Sequence, residues 1–196
     1  MSDKKSLLLQ SAVRAIAKYG MSAVSTRRIS HEADLNDAYI YRLFRDKADL
    51  LAQAFLMEDE KYLRYVGSVF EELNRSLDIP LRKRAEDAFH KVWRYLLDTP
   101  YVCRVFMYYY HSPGFVEHAK AEHERQIEIL TETIDYLFPT FEDARSSLLV
   151  LFALINTFAL GAINGLVEDT EEIEKKVFRI TYATLRITMH PEHELE

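Results

Sequence analysis

The chain is 196 residues long and 48% of its residues are hydrophobic, which excludes a disordered chain and is enough for a sizeable buried core. Five glycines and five prolines are few for a sheet protein with many turns, so the composition favours long helices with short connections. The formal net charge of −6 excludes a uniformly basic nucleic-acid binder but does not say where the charges lie.

Charge is distributed unevenly along the sequence. Residues 1–50 contain nine Lys and Arg residues and six acidic residues, whereas residues 51–196 contain 16 and 25. The difference predicts a mildly basic N-terminal module on an acidic body. Cys103 is the only cysteine, so no intrachain disulfide can form, and no secretion signal opens the chain. We therefore expect a cytoplasmic protein in which Cys103 is a small buried hydrophobe rather than a redox sensor.

Two helices are predicted at the start of the chain. Residues 6–19 carry apolar side chains at helical spacing, and Gly20 follows where a left-handed C-terminal cap is wanted. Ser25 is a good N-cap for a short second helix, which ends near Asp34.

A third helix follows almost at once. Asn36 is its N-cap, and the helix runs to Phe44. Two short helices joined this tightly behind a longer one are typical of a helix-turn-helix, whose second helix can enter the major groove of DNA. Asp46 can then cap a fourth helix, with Lys47 in its first turn.

The remainder of the chain continues the helical pattern, with prolines at the breaks. The predicted helical segments are 47–76, 81–98, 101–110, 114–138, 141–167 and 170–189. Together with the three helices of the module, they predict an all-α fold of about nine helices.

One segment has the length of a membrane span. Residues 146–167 carry no charge over 22 positions. Asn156, Thr157 and Asn164 interrupt the segment, however, and no basic cluster flanks it. We therefore expect no membrane association, and a helix that is buried in a core or between subunits.

The segment from Ser25 to Lys47, followed by Leu50 and Leu51, resembles the signature of TetR-type (tetracycline-repressor-like) transcriptional regulators. The resemblance covers about the first 55 residues, and the positions that carry it are Ile29, Ala33, Asn36, Ile40, Tyr41, Phe44, Lys47 and Leu50. It implies a helix-turn-helix DNA-binding domain at residues 1–50, followed by an effector-binding and dimerisation domain at residues 51–196.

The resemblance also implies which residues contact DNA. Thr26 and Arg27 on the second helix would touch phosphate or a base edge, and Tyr41 and Lys47 would bind phosphate. The full set of implied DNA-binding residues is Thr26, Arg27, Asn36, Asp37, Ala38, Tyr39, Tyr41, Arg42 and Lys47.

Two aspartates in this segment carry the same sign of charge as the phosphates that the segment is expected to bind. Asp34 occupies the turn, where many relatives have glycine and where aspartate tolerates unusual backbone angles. Asp37 lies at the N-terminus of the third helix, where it either accepts a hydrogen bond from a cytosine amino group or stabilises the helix dipole. Relatives often carry Lys, Ser or Gln in place of Asp37 and His or Tyr in place of Leu43, so one phosphate contact is expected to be missing.

A single helix-turn-helix makes too few contacts for tight specific binding, so we expect a homodimer. The last two predicted helices carry apolar residues at spacings of three and four, which suits either a subunit interface or an intramolecular core. The candidate interface residues are Leu151, Ile155, Phe158, Ala162, Ile163, Ile180 and Ile187.

Residues 89–115 form the densest aromatic segment of the chain. Aromatic rings with a few polar groups suit a small apolar or aromatic effector, although such a stripe is also ordinary core. The candidate pocket residues are Trp93, Phe106, Tyr109, Tyr110, His111 and Phe115.

Metal binding and catalysis find no support in the sequence. The histidines and glutamates between His90 and Glu124 lack metal-site spacing and suit a solvated helix face, so we expect neither a metal nor a cofactor. No catalytic motif is present, so we expect no enzyme. The hypothesis is a ligand-responsive repressor that binds a palindromic double-stranded DNA operator as a homodimer and is released by a small molecule. The alternative is a helical protein-interaction or ligand-sequestering module without DNA binding.

Overall fold

The computed structural model describes residues 3–75 and 77–191, and all regular secondary structure in these residues is helical. The α-helices are α1 (Asp3–Ala23), α2 (Thr26–Glu32), α3 (Ala38–Leu43), α4 (Lys47–Arg75), α5 (Leu81–Asp98), α6 (Pro100–Tyr110), α7 (Pro113–His118), α8 (Lys120–Glu132), α9 (Phe141–Ile163) and α10 (Glu171–Arg186). A short 3-10 helix, Asp135–Leu137, lies between α8 and α9. The predicted all-α fold is confirmed.

Among the predicted segments after residue 47, two differ most from the structure. The segment predicted as one helix at 114–138 is divided into α7, α8 and the 3-10 helix, because Ala119 has the non-helical angles φ −126° and ψ −22°. Nothing in the side chain of an alanine announces such a break. Helix α9 ends four residues earlier than predicted. Gly165 has a φ of 72°, and the Leu166 N–H donates to the Gly161 carbonyl at 2.8 Å, which closes the helix as a Schellman motif.

The chain forms two compact units. The first contains Met1–Tyr62 and Tyr101–Glu124, and the second contains Leu63–Pro100 and Arg125–Glu196. The first unit therefore holds α1 to α3, the first half of α4, α6, α7 and the start of α8. The boundary at residue 50 stays a prediction about the DNA-binding module, which lies within this larger unit.

Within the first unit, α1, α2 and α3 pack against one another around a small apolar core. Ile16, Ile29 and Ile40, one from each helix, are fully buried. The Ser25 hydroxyl accepts a hydrogen bond from the Arg28 N–H at 3.3 Å, which confirms the predicted N-cap of α2. These contacts fix the orientation of α3 on the other two helices.

The turn between α2 and α3 is a second Schellman motif, and Asp34 occupies its left-handed position. Asp34 has a φ of 53°, the only positive φ among the described non-glycine residues. Its N–H donates to the His31 carbonyl, and the N–H of Leu35 donates to the Ser30 carbonyl at 2.9 Å. Aspartate tolerates these angles better than most residues, which is the role that the sequence predicted for it.

Substitution of Asp34 tests this backbone requirement. Asp34→Gly is expected to change the free energy of unfolding by less than about 1 kcal/mol, because glycine adopts the left-handed region without steric cost. Asp34→Val is expected to lower it by about 1–2 kcal/mol or more, since a β-branched residue clashes there. Urea unfolding followed by circular dichroism measures both. Equal stability of the two variants would contradict the assignment.

Helix α4 begins with a reciprocal cap. The N–H of Asp49 donates to Asp46 Oδ1 at 2.8 Å, and the N–H of Arg45 donates to Asp49 Oδ2 at 2.9 Å. The predicted cap at Asp46 is therefore confirmed. From this start α4 continues without interruption to Arg75, so one helix has residues in both units.

In the second unit, α5, α9 and α10 pack against one another. Threonines begin both of the last two helices: Thr140 Oγ accepts from the Asp143 N–H at 3.1 Å and Thr170 Oγ from the Ile173 N–H at 3.3 Å. Among the described residues, α9 is the one helix long and apolar enough to cross a membrane. That is weak evidence on its own, because helices in protein cores pass the same test.

Candidate nucleic-acid interface and ligand cavities

Helix α3 presents a polar and aromatic face to solvent. Asn36 Oδ1 accepts a hydrogen bond from the Ala38 N–H at 2.8 Å, which fixes the start of the helix as predicted. Ile40 is fully buried beneath the helix, whereas Tyr41 is 63% exposed and Arg42 is also exposed. The inward and outward positions of this short helix are therefore separated as a groove-reading helix requires.

Asp37 is tied to the neighbouring helix. The buried Ser30 hydroxyl donates to Asp37 Oδ1, which links α2 to α3, and Ser30 also contacts the Arg27 carbonyl. This link could not be predicted from the sequence, since Ser30 and Asp37 are seven residues apart and Ser30 lies on a different helix. It leaves Asp37 Oδ2 for a base, and both of the roles expected for Asp37 stay predictions.

Lys4 on α1 contacts α3, the helix expected to enter the major groove. It was not among the DNA-binding residues predicted from the sequence. Its Nζ donates to the Tyr39 hydroxyl at 2.8 Å, and this hydrogen bond lowers the pKa of the Tyr39 phenol. The guanidinium of Arg42 lies 5.7 Å from the centre of the same ring. The basic charge of Lys4 and Lys5 at the start of the module was a possible signal in the sequence. The position of Lys4 beside α3, however, is known only from the fold.

The implied phosphate ligands lie on α2 and at the start of α4. Arg27 is exposed and Thr26 is half-buried in the first turn of α2. Lys47 Nζ donates to the carbonyl of Val24 at 2.5 Å, just ahead of α2, and an ammonium group keeps further donors for an anion. The structure thus places all nine implied DNA-binding residues in one small module of the first unit.

Comparison with known proteins decides which family this module represents. Residues 8–54 match the model of the bacterial regulatory proteins of the tetR family. The fold resembles that of a TetR family transcription regulator from Marinobacter aquaeolei VT8, with a TM-score of 0.73 and 22% identity over 95% of each chain.

Residues 8–54 form a module of the tetR family, and the chain shares the fold of TetR family transcription regulators.

Two further structures share the TetR-family fold. One is the fatty acid degradation regulator FadR from Bacillus halodurans, with a TM-score of 0.65 and 19% identity over 92% of this chain and 95% of that one. The other is FadR from Bacillus subtilis in complex with stearoyl-CoA, with a TM-score of 0.65 and 17% identity over 90% of this chain and 96% of that one. No curated protein matches the chain significantly. The module at residues 8–54 is thus of a kind found in bacterial regulatory proteins, and the fold is shared with transcription regulators.

The predicted pocket residues fall in two places. Trp93 lies on α5 in the second unit, whereas the other five lie on or beside α6 and α7 in the first. The rings of Phe106 and Tyr110 are 5.3 Å apart, those of Tyr110 and Phe115 4.5 Å, and Phe55 stacks on Tyr109 at 4.9 Å. The rings thus pack against one another, and a space of about 160 Å³ lies beside Phe55 and Phe106. A ligand role for this aromatic cluster stays a prediction.

A buried ion-pairing contact lies against the aromatic cluster. Asp59 on α4 and His123 on α8 are both buried, with 2.9 Å between Asp59 Oδ2 and His123 Nδ1. The expectation that His123 lies on a solvated helix face was wrong. Burial raises the pKa of the Asp59 carboxyl, and the contact with His123 opposes that rise only in part.

The raised pKa of Asp59 predicts the sign of a pH effect on stability. A carboxyl that binds its proton more tightly when folded contributes stability below its ordinary pKa of about 3.9, and this contribution is lost as the pH rises through the raised pKa. The free energy of unfolding of the wild-type protein, minus that of Asp59→Asn, should therefore fall from about pH 4 to about pH 8. Urea unfolding across this range measures the difference. Asp78→Asn, at an exposed position, is the control, and a difference that rises with pH would contradict the expectation.

A cavity with an apolar lining lies in the second unit. It encloses about 750 Å³ not filled by atoms, part of which opens to solvent. Its lining comes from α4, α5, α9, α10 and the segment around the 3-10 helix, and none of the six predicted pocket residues contributes. Leu151 and Ile155, which the sequence suggested for a subunit interface, are among the lining residues, and their interface role stays a prediction. The helical spacing of these two apolar residues does not distinguish cavity-lining residues from core residues.

The remaining candidate interface residues lie nearer the surface. Phe158, Ala162 and Ile163 on α9 are half-buried, while Ile180 is 47% exposed and Ile187 is 80% exposed. Ala153 and Thr157 are also exposed on α9, so this face of the helix carries small and apolar side chains. Across residues 3–75 and 77–191, no three His, Cys, Asp or Glu side chains are arranged to hold a metal ion.

Proposed function

We propose that this chain is a ligand-responsive transcriptional repressor that binds a palindromic operator as a homodimer and is released by a small molecule. The proposal rests on the orientation of α3, which presents polar and aromatic side chains to solvent. The helix is capped by Asn36 and held on the core by Ile40, and it turns Tyr41 and Arg42 outward. A module of the TetR family with this geometry can lay α3 in the major groove while α2 and α4 bind the phosphates.

Dimerisation through α9 and α10 is part of the proposal. Helix α9 is strongly apolar, yet only 33% of its most apolar stretch is buried within the chain. A second copy that packs on the exposed positions Ala153 and Thr157 would cover this face, and the apolar Ile180 and Ile187 of α10 would extend the contact. Two-fold pairing also gives each dimer two copies of α3, which matches a palindromic operator.

The apolar cavity of the second unit is the proposed effector site. FadR from Bacillus subtilis, which shares the fold, binds stearoyl-CoA, and a cavity lined by aliphatic and aromatic side chains suits a ligand with an apolar body. Helix α4 supplies Val66 and Phe70 to the lining and Lys47 to the DNA-binding module. A ligand that shifts α4 would change the distance between the two α3 helices of a dimer. Operator affinity and effector affinity must then be reciprocally coupled.

Titration against two kinds of DNA tests the function. The protein is mixed with DNA from upstream of its own gene and with random DNA at about 50 mM and about 200 mM salt. We expect the upstream DNA to bind on the order of 10³-fold more tightly or better, and random binding to weaken with salt. Equal affinity for both DNAs, or no binding, would instead support the sequestering module.

A further inference from the structure

The cavity of the second unit is almost purely apolar. Its lining contains no charged side chain, and only Thr181 and Tyr182, both on α10, bring polar groups. A charged group placed among these residues would lose its hydration without gaining a counter-charge. The cavity therefore disfavours an ionised ligand group in its interior.

Thr181 differs from comparable threonines of the second unit. Its side chain is buried with 2% of the residue exposed, and its Oγ has no hydrogen-bond partner. The fully buried Thr131 donates from Oγ to the Ile127 carbonyl at 2.7 Å, and Thr184, on the same helix as Thr181, donates to the Ile180 carbonyl at 2.9 Å. A threonine in a helix can thus satisfy its hydroxyl on the preceding turn, but Thr181 does not.

An unsatisfied hydroxyl inside an apolar cavity costs free energy, unless a ligand group completes its hydrogen bonding. We infer that the cavity selects an uncharged amphiphile, with an apolar body among the aliphatic and aromatic side chains and one neutral oxygen group hydrogen-bonded to Thr181. This inference rests on the proposed effector site and names the chemistry of its ligand. Thr181 is then the specificity-determining residue of the cavity.

Two probes of nearly the same shape test the inference. 1-Octanol carries a hydroxyl, whereas 1-fluorooctane carries a far weaker hydrogen-bonding group. The affinity of each is measured by calorimetry for the wild-type protein, Thr181→Val and Thr181→Ser. We expect Thr181→Val to lower the affinity for 1-octanol about 10-fold and to leave that for 1-fluorooctane unchanged. Thr181→Ser keeps the hydroxyl and should keep the preference for 1-octanol.

The ligand-free protein offers a second readout. Because valine removes a hydroxyl without a partner and keeps the shape of threonine, the midpoint of thermal unfolding of Thr181→Val should rise by about 2–4 °C. A fall in the midpoint would overturn the inference, since it would show a hydroxyl that is already satisfied.

The binding outcomes separate this inference from the proposed function. If both probes bind and Thr181→Val changes their affinities equally, the inference is wrong while the effector cavity stands. If neither probe binds to any of the three proteins, the inference fails together with the effector cavity. DNA binding is measured independently by the operator titration and is affected by neither result.

Discussion

Thr157→Arg is expected to leave the protein monomeric and to abolish specific DNA binding. Thr157 is exposed on the apolar face of α9, so the substitution removes no core packing within one chain. In the proposed dimer it buries a guanidinium without a partner, which apolar interfaces do not tolerate. Sedimentation velocity should give the mass of one chain, 23.0 kDa. Operator affinity should fall on the order of 10³-fold, towards the level of non-specific binding.

Two further variants make this result interpretable. Val116→Arg places the same charge on an exposed apolar position of α7 and should remain dimeric. Ile180→Asp tests the proposed interface from α10 and should dissociate the dimer as Thr157→Arg does. Circular dichroism confirms that each variant is folded. A folded Thr157→Arg protein that is still dimeric and still binds the operator would refute the proposed interface.

Arg27→Ala is expected to weaken binding to every DNA sequence roughly 10-fold or more, because each dimer loses two charge-assisted contacts to phosphate. The slope of log affinity against log salt should become shallower by about 1 for each Arg27 lost, hence by about 2 per dimer. Arg27 is exposed on α2, so the folded module should be unaffected. Fluorescence anisotropy with operator and random DNA over a salt series measures both quantities.

Two other substitutions serve as comparisons. One removes an arginine outside the DNA-binding module, and the other changes a residue that is expected to contact a base. Arg75→Ala also removes an exposed arginine, but from the end of α4 in the second unit, and should leave the salt slope unchanged. Asp37→Ala should chiefly relax the base preference. Because Asp37 also holds Ser30, Ser30→Ala is the matched control for the lost link. Equal effects of Arg27→Ala and Asp37→Ala on operator and random DNA would contradict the assigned roles.

The N-terminal module could be predicted in detail because its signals are local. Ser25, Asn36 and Asp46 each cap a helix within three residues of their own position, and Asp34 takes the backbone angles that its turn demands. Such short-range chemistry is written in the sequence itself. The family resemblance then assigned roles to the residues that these caps hold in place.

The body was harder because its features depend on residues far apart in the chain. Nothing near Ala119 announces that a helix ends there, and the pairing of Asp59 with His123 joins positions 64 residues apart. The residues around the apolar cavity of the second unit have the same helical spacing as core or interface residues. The helical spacing of apolar residues predicts that a side chain is buried. It does not show whether the side chain is buried by its own chain, by a ligand or by a second subunit.

Selection of bound DNA from a random pool tests DNA reading by α3 and dimerisation in one experiment. We expect the recovered sequences to converge on a two-fold symmetric site, with half-sites separated by about 10 base pairs or a multiple of that distance. If a folded protein at low salt enriched no symmetric sequence, this result would contradict the proposal that the two α3 helices of one dimer contact two half-sites.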